Sequence, residues 1–556
     1  MKALNYKNIF GSLLFAIALS SCESDFLDRF PKDKISSETF WKTAKDAEYA
    51  YNGCYAYVDA SVSDAYKDGY ADNAYCQYPW ESNAPSISAG DIDANIEESY
   101  NYVGIRRFNY FLDNIDKAPI SDDLKKRYVA EIKVLRAWRY FNLTQKFGPV
   151  SLVTKYIIET EDGRIAPTPE AEIVKFVVSE LNAAIADLPE KATSKSRISK
   201  AAALALKARV HLYYQQWNEA AATASEVMKL GYELFKVTSL TAADFKDDYS
   251  QFVTFANDAE KEDFYKGLRS YEKQYWDVNS GNKEVVFEVE YLKESSYEWS
   301  SGINTLFLAA NSGGGWSSIT PTQDLVNAYL KRNGEPFTPP TKEARAALYN
   351  NGKYAPEFLN EFKNRDTRLY ASILFPGAMM NSIEEGYVFT WEKGGSNISA
   401  SGYNFRKLVD PTDPSAAPDW KGPQNYPAIR YAEVLLTYAE AKNEASGPDA
   451  SIYDALDQIR ERVAMPKINR TTVNTKELLR EVIRNERRIE LAGEGFRWDD
   501  IRRWNISKDV MKNTYSIDND LVQARKWEDK FVRLPYPQSA VDRNPKLKEA
   551  QKGKGY

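Results

Sequence analysis

The stretch ISKAAALALKARVHLYYQQWNEAAATASEVMKLGYEL, residues Ile198 to Leu234, repeats small and apolar residues at a spacing of three to four, which predicts two consecutive helices. The repeating positions are Ala201, Ala205, Ala208 and Leu212 in the first segment and Ala220, Ala224 and Val227 in the second. Gln216, Trp217 and Asn218 separate the segments. Because small side chains let helix axes approach closely, the pattern favours a packed helix-turn-helix unit.

A second segment of the same form runs from Tyr426 to Ala464, with its turn at Ser446–Pro448. Units of about 34 residues with this pattern are similar to tetratricopeptide repeats. A further helical pattern covers Ala130–Pro149. We therefore predict a mostly α fold with an irregular, tetratricopeptide-like helical scaffold at approximately residues 36–58, 105–239 and 426–556.

The two long interruptions, approximately residues 60–104 and 240–425, are rich in Tyr, Asp, Gly, Ser and Pro and hold one clear strand pattern, Lys283–Tyr291. Loops of this length are usually functional or disordered. Their aromatic content argues against disorder. We expect these two segments to form a loop-rich part with only minor β structure.

The composition excludes several classes of function. One histidine in 556 residues excludes zinc and triad motifs that need two. No basic tract accompanies the net charge of −6, so nucleic acid is not an expected partner. No cofactor is predicted. Cys54 and Cys76 could pair in an oxidising compartment, and the sequence leaves that open.

The N-terminus has the pattern of an export signal over residues 1–21, with Lys2 and Lys7 before an apolar run, Ile9–Leu19, that is too short to span a bilayer. Leu19–Cys22 resembles the lipobox of bacterial lipoproteins, in which the cysteine is acylated after cleavage. Cys22 is then the membrane tether, since several acyl chains give durable attachment. An ordinary secretory signal with a chance cysteine is the alternative. The acidic residues that follow suggest a position facing the cell exterior.

The C-terminal sequence RNERRIELAGEGFRWDDIRRWN, Arg484–Asn505, resembles the end of the SusD/RagB family of nutrient-binding outer-membrane lipoproteins. Further segments that resemble the family in the expected order are AEIKVLRAWRYFNLTQKFGPVSLVT, NKEVVFEVEY, TPTQDLVNAY, NRDTRLYASILFPG and YPAIRYAEVLLTYAEAKNEA. The final EAQKGKGY departs from the Asn-Pro-Gly-Tyr ending to which the family tends.

The resemblance implies a single domain over residues 22–556, in which a tetratricopeptide-like helical scaffold carries a loop-rich, minor-β ligand-binding part at approximately residues 60–104 and 240–425. It also implies a lipoprotein that acts as a hinged lid on a SusC-like TonB-dependent outer-membrane barrel. Such proteins capture oligosaccharides, and in some members peptides, without cleaving them. The alternatives to a surface glycan-binding protein are a peptide or other nutrient binder, a lipid-anchored glycosidase and a pure protein-binding scaffold.

A glycosidase would need two opposed carboxylates. Glu486 and Glu490 are four residues apart on one predicted helix and point the same way. We expect them to belong to a structural salt-bridge network that links the first and last helices, with the cations Arg484, Arg487, Arg488, Arg136 and Arg139. His211, on an apolar helix face, is predicted to be a packing residue of the core or surface and not a catalytic base. The chain is therefore not expected to be an enzyme.

A sugar ring presents an apolar C–H face, which an aromatic side chain can cover, and hydroxyl groups, which polar side chains can hold. The candidate ligand-binding aromatic residues lie in loops with polar neighbours: Trp80, Trp316, Trp299, Tyr297, Tyr78 and Tyr75. The predicted polar companions are Asn83, Asp72 and Asn73.

A weak calcium candidate is formed by Asp91, Asp93 and Asn95, whose alternate spacing resembles the start of an EF-hand loop. The sixth position is Ile96 instead of glycine, and the twelfth is Tyr102 instead of glutamate. This departure favours a solvated turn, and no metal is predicted.

Overall fold

The computed structural model describes residues 40–192, 194–293, 299–412 and 422–556. The predicted signal, residues 1–21, and the predicted acylation site Cys22 lie outside the described residues. Within the described ranges, no helix combines the length and apolar composition needed to cross a membrane.

The helices, in chain order, are α1 Ala44–Tyr55, α2 Ala84–Ala89, α3 Val103–Asn114, α4 Asp122–Phe147, α5 Glu170–Ile185, α6 Lys200–Tyr213, α7 Trp217–Met228, α8 Asp258–Lys273, α9 Ile303–Phe307, α10 Gln323–Ala328, α11 Lys342–Ala346, α12 Thr367–Ser372, α13 Tyr431–Ser446, α14 Ala450–Arg462, α15 Lys476–Glu490, α16 Arg497–Arg503, α17 Ser507–Val510, α18 Gln538–Arg543 and α19 Lys548–Gly553. The strands are β1 Ala74–Cys76, β2 Val285–Val289, β3 Ile319–Pro321, β4 Tyr349–Asn350, β5 Lys353–Tyr354, β6 Ile373–Leu374, β7 Asn404–Phe405, β8 Tyr426–Arg430, β9 Thr514–Tyr515 and β10 Leu521–Gln523. They pair antiparallel as β1–β3, β2–β8, β4–β5, β6–β7 and β9–β10.

The scaffold is a row of neighbouring helices. Helix α4 packs on α5, α5 on α6 and α6 on α7, and α7 then lies against α13, which also contacts α14 and α15. The two helix-turn-helix units are therefore in direct contact, although they are far apart in the sequence. Ala220, Ala221 and Ala441 are buried at this contact, where their small side chains allow close approach. The predicted mostly α scaffold is confirmed.

The turn of the second unit is confirmed, but its start is not. Helix α13 ends at Ser446, and Gly447 follows with φ +80°, a conformation that favours glycine. Residues Tyr426–Arg430, which the sequence pattern assigned to the helical unit, form strand β8 instead. The reason is tertiary, because the partner strand β2 lies more than a hundred residues earlier in the chain.

Helix α15 carries carboxylates into a buried charge network. Glu490 is 0% exposed. It accepts hydrogen bonds from Arg430 at 2.8 Å and Arg368 at 3.1 Å, and also from Arg462. Although burial alone would raise the pKa of Glu490, these three guanidinium groups hold it well below its usual range. The network thereby joins β8, α12 and α14 to α15.

The predicted salt-bridge network is present, but the predicted link to the early helix is wrong. Arg136 and Arg139 on α4 pair instead with Glu180 and Asp59, each at 2.6 Å. Arg487 on α15 pairs locally with Asp500. Sequence spacing cannot select among so many carboxylates, because the partner of each cation depends on how the helices pack.

The pairing of β1 with β3 brings the two loop-rich regions together. Ala74 lies opposite Pro321, and Cys76 lies opposite Ile319. Cys76 and Cys54 are both buried and free, so the disulfide that the sequence left open is not formed in this structure.

Candidate functional site

A tight turn after β1 presents two aromatic rings, Tyr78 and Trp80, which we call the ring pair. The backbone N–H of Glu81 donates to the Tyr78 carbonyl at 3.2 Å, with Pro79 at the second turn position, where its fixed φ is favourable. The Tyr78 and Trp80 centroids are 4.8 Å apart, with 32° between the ring planes. Trp80 is 74% exposed, which is unusual for so large an apolar side chain. The rings form an accessible apolar surface.

The turn is anchored by Glu81, whose carboxylate points back into the protein. It accepts hydrogen bonds from the hydroxyls of Tyr66 at 2.9 Å and Ser318 at 3.1 Å. Burial raises the pKa of Glu81, and the two hydrogen bonds oppose that shift. Because Ser318 belongs to the segment leading into β3, this carboxylate fixes the turn against the second loop-rich region.

The segment that carries Trp316 lies beside the ring pair. The side-chain amide of Gln77 donates to the Trp316 carbonyl at 3.1 Å. The backbone N–H of Trp316 donates to the backbone carbonyl of Thr305 on α9 at 2.7 Å. Trp316 itself is half-buried. Two loops separated by more than two hundred residues are therefore joined directly next to the ring pair.

Tyr78 is oriented by a third loop. Its hydroxyl donates to the Asn397 side-chain oxygen at 2.9 Å, and the Asn397 carbonyl accepts from the Ser317 hydroxyl at 3.1 Å. Partial burial raises the pKa of Tyr78, so the hydroxyl is a proton donor at neutral pH. The arrangement offers apolar ring faces bordered by hydrogen-bonding groups, which suits adsorption of a hydroxylated ring.

Comparisons with known proteins give the same family for both halves of the chain. The family model SusD_RagB, described as the SusD family, matches residues 283–556. A second, described as "Starch-binding associating with outer membrane", matches residues 25–212. A SusD-like protein of Formosa agariphila is 29% identical over 579 residues, which cover 98% of this chain and 99% of the relative.

Two solved structures from Bacteroides fragilis resemble this one. A SusD-like protein superimposes with a TM-score of 0.77 at 26% identity, covering 93% of this chain and 98% of that chain. A SusD-like carbohydrate-binding protein superimposes with a TM-score of 0.74 at 26% identity, covering 92% of this chain and 100% of that chain. The chain belongs to the SusD/RagB family. Its mostly helical fold is that of SusD-like proteins.

Of the other aromatic residues predicted for this SusD-family chain, Trp299 is 52% exposed and lies a few residues before α9. Tyr75 is half-buried within β1, opposite Thr320, and burial raises its pKa. Tyr297 lies outside the described residues. The structure therefore places Tyr78, Trp80 and the Trp316 segment together, whereas Tyr75 is held in a strand.

Two of the predicted polar companions do not reach the surface. Asp72 is 2% exposed and forms ion pairs with Arg488 at 2.8 Å and Arg497 at 2.7 Å. Although burial opposes it, these cations hold the pKa of Asp72 well below its usual range. Asn73 is equally buried and accepts from Arg488 at 2.8 Å. Both residues secure β1 to α15 and α16, so we leave them out of the site; Asn83, half-buried after the turn, stays in it.

The calcium candidate is a hydrogen-bonded turn. The backbone N–H of Asn95 donates to the Asp93 carboxylate at 2.8 Å, and Asp91 lies 3.5 Å from the Lys526 ammonium. In the described part of the chain, no group of three or more His, Cys, Asp or Glu side chains is arranged to hold a metal.

The carboxylates proposed for a glycosidase are not available to a substrate. Glu486 and Glu490 are buried within the arginine network. His211 is buried, its ring bonds the Gln216 side chain, and burial lowers its pKa. It borders a cavity of about 1120 Å³ between α5, α6 and α16 that contains neither member of the ring pair.

Sequence reasoning missed the residues that position the rings. Glu81 follows Trp80 directly, but nothing in the sequence shows that its carboxylate turns inward. Asn397 lies in a Gly-Ser loop 319 positions from Tyr78, and no local pattern connects them.

Proposed function

We propose that this protein is a cell-surface lipoprotein that captures oligosaccharides and delivers them to a SusC-like TonB-dependent outer-membrane transporter. The ring pair, with Trp316 and Asn83 at its border, is the proposed glycan-binding surface. Acyl chains on Cys22 are the proposed anchor in the outer membrane, facing the cell exterior. The protein binds its ligand without cleaving it.

The exposure of Trp80 is the observation that carries this proposal. Trp80 keeps 74% of its surface in water and, together with Tyr78, presents two adjacent rings on an anchored turn, an arrangement suited to binding an apolar face. The C–H side of a sugar ring is such a face. Family membership supports the same function, as does the printed description of a 26% identical relative as a carbohydrate-binding protein.

Calorimetry of the mature protein against a panel of oligosaccharides tests the proposal. Covering about 80 Å² of the Trp80 ring contributes about 2 kcal/mol at ~25 cal/mol/Å². Trp80→Ala should therefore weaken binding roughly 30-fold. The matched control is Tyr49→Ala, an aromatic residue that is 54% exposed and lies on α1, outside both loop-rich regions. Equal loss in both variants, or none in Trp80→Ala, would contradict the assignment.

The same measurements separate the alternatives. Binding of peptides but of no glycan would favour a peptide carrier, and turnover of any oligosaccharide would contradict a binding protein. A pure scaffold would bind neither glycans nor peptides.

Delivery and anchoring need separate experiments. If the protein delivers its ligand to a transporter, it should co-purify with a SusC-like barrel from outer membranes. For anchoring, Cys22→Ser should release it from the membrane fraction and remove the acyl mass.

A further inference from the structure

A polar cleft of about 370 Å³ is lined by Glu81, Ser82 and Asn83, the three residues that follow Trp80 in the chain. Its walls include side chains of residues 58–70, the loop Glu97–Ser99, the C-terminal part of helix α4 from Arg139 to Phe147, and Trp498 and Asp499 on α16. This volume is at the lower end of the range for small-ligand pockets, about 300–1,000 Å³. Trp80 and Asn83 are three residues apart, so their Cα atoms are separated by at most about 11 Å. A chain molecule lying on the rings can therefore reach the polar cleft.

The cations of the polar cleft are already neutralised. Each lysine or arginine that lines it has a carboxylate partner in the same lining: Lys67 with Asp64 at 2.6 Å, Arg139 with Asp59 at 2.6 Å and Lys146 with Glu98 at 3.0 Å. Glu81 and Glu97 also line the cleft, and neither has a cationic partner among the described residues. The cleft is therefore net negative and has no free cation for an anionic ligand.

A second observation points to a ligand. Gln145 on α4 is only 9% exposed and lines the polar cleft, yet no described residue donates to or accepts from its side-chain amide. The Nε of Arg139, in the same lining, also lacks a partner. The unpaired Gln145 amide faces the open space of the cleft, whereas the Arg139 Nε is buried and carries the cost of an unpaired donor. A ligand hydroxyl that both donates and accepts would satisfy an amide of this kind.

We infer that the polar cleft is a second subsite, continuous with the ring pair, that takes a sugar unit bearing hydroxyl groups and no anionic group. Sulfated sugars and uronic acids would place a negative charge beside Glu81 and Glu97 with no cation to compensate it. The inference rests on the proposed function, since it names the class of glycan that the same surface selects.

The test is calorimetry at low salt with maltohexaose, cellohexaose, laminarihexaose and xylohexaose, each beside its sulfated form. The neutral form of the bound glycan should bind at least tenfold more tightly than the sulfated form. The difference should shrink at high salt, which screens exposed charges. Equal or tighter binding of a sulfated form would overturn the inference.

Two variants examine the subsite itself. Glu97→Lys, at an exposed position, should reduce the ratio of the Kd values of the sulfated and neutral glycans severalfold. The control Glu226→Lys, exposed on α7 outside the cleft, should leave that ratio unchanged. Gln145→Ala should weaken neutral binding about fivefold, the effect of one or two hydrogen bonds. Its fold is checked by an unchanged melting temperature.

The outcomes distinguish a failure of the proposed subsite from a failure of the proposed glycan-binding function. If Trp80→Ala loses binding while Glu97→Lys and Gln145→Ala change nothing, the cleft is not a subsite and the glycan-binding function stands. If no glycan in the panel binds, the proposed function fails and the inference fails with it.

Discussion

Replacing Glu490 by glutamine tests whether the buried charge network holds the helical scaffold to the loop-rich region. The carboxylate is wholly buried and hydrogen-bonded to Arg368, Arg430 and Arg462. Glutamine keeps the shape but removes the negative charge, and it turns an amide N–H₂ group toward guanidinium groups. Breaking a buried ion pair by removing one partner costs about 3–5 kcal/mol of unfolding free energy.

The expected change in melting temperature follows from the size of the protein. A folded body of roughly 500 residues unfolds with an entropy of about 1 kcal/mol/K, from about 2.1 cal/mol/K per residue. Glu490→Gln should therefore lower the melting temperature by about 3–5 °C in scanning calorimetry at pH 7. The control is Glu481→Gln on the same helix, an exposed residue whose substitution should cost less than about 1 °C.

The pH dependence of this stability difference gives a second test. The pKa of Glu490 in the folded state is depressed below its unfolded value of about 4.3, so its contribution to stability is full above that pH and declines as the pH falls further. The difference between wild type and Glu490→Gln should narrow below about pH 4 for this reason. Melting temperatures within 1 °C of each other at pH 7, or a difference that widens in acid, would refute the reasoning.

Three further predictions concern the loops and a thiol. Tyr78→Phe removes the hydroxyl that donates to Asn397 and should weaken glycan binding about fivefold, the value of one hydrogen bond of about 1 kcal/mol; an unchanged Kd in calorimetry would show that this bond does not orient the ring. At Gly315 an added Cβ would collide with the Leu308 carbonyl oxygen. Gly315→Ala should therefore displace the segment that carries Trp316 and weaken glycan binding. A crystal structure of that variant with the loop unmoved would contradict this. Burial raises the pKa of Cys54 to about 12, so the native protein should resist thiol reagents at pH 8 and react once unfolded, whereas rapid labelling of Cys54 in the native state would contradict its burial.

Much of the scaffold could be predicted because its signals are local. The small-residue spacing of residues 198–234 and the glycine turn at Gly447 each depend on a few neighbouring positions, and both are present in the structure. Strand β8 was assigned wrongly because its conformation depends on β2, a distant partner that periodicity does not show.

The candidate site was predictable only in part. Loop position and aromatic character selected Trp80 and Tyr78, which the structure places next to each other on one turn, and their role in binding stays a prediction. The same criterion selected Asp72 and Asn73, which the structure buries against arginines. Whether a loop side chain faces water or the interior depends on the segments packed against it, and the local sequence does not contain that information.

The sequence by itself determined the helical units, because recurring residue types at short spacing select local conformations, and its C-terminal and upstream segments carried the resemblance to the family. Only the tertiary structure decided which carboxylate neutralises which arginine, and that Trp80 remains in water while Glu81 beside it turns inward. It also decided that Glu81, Ser82 and Asn83, which follow Trp80, line the polar cleft. These features depend on contacts between segments far apart in the chain, and their energies arise only when burial removes competing water.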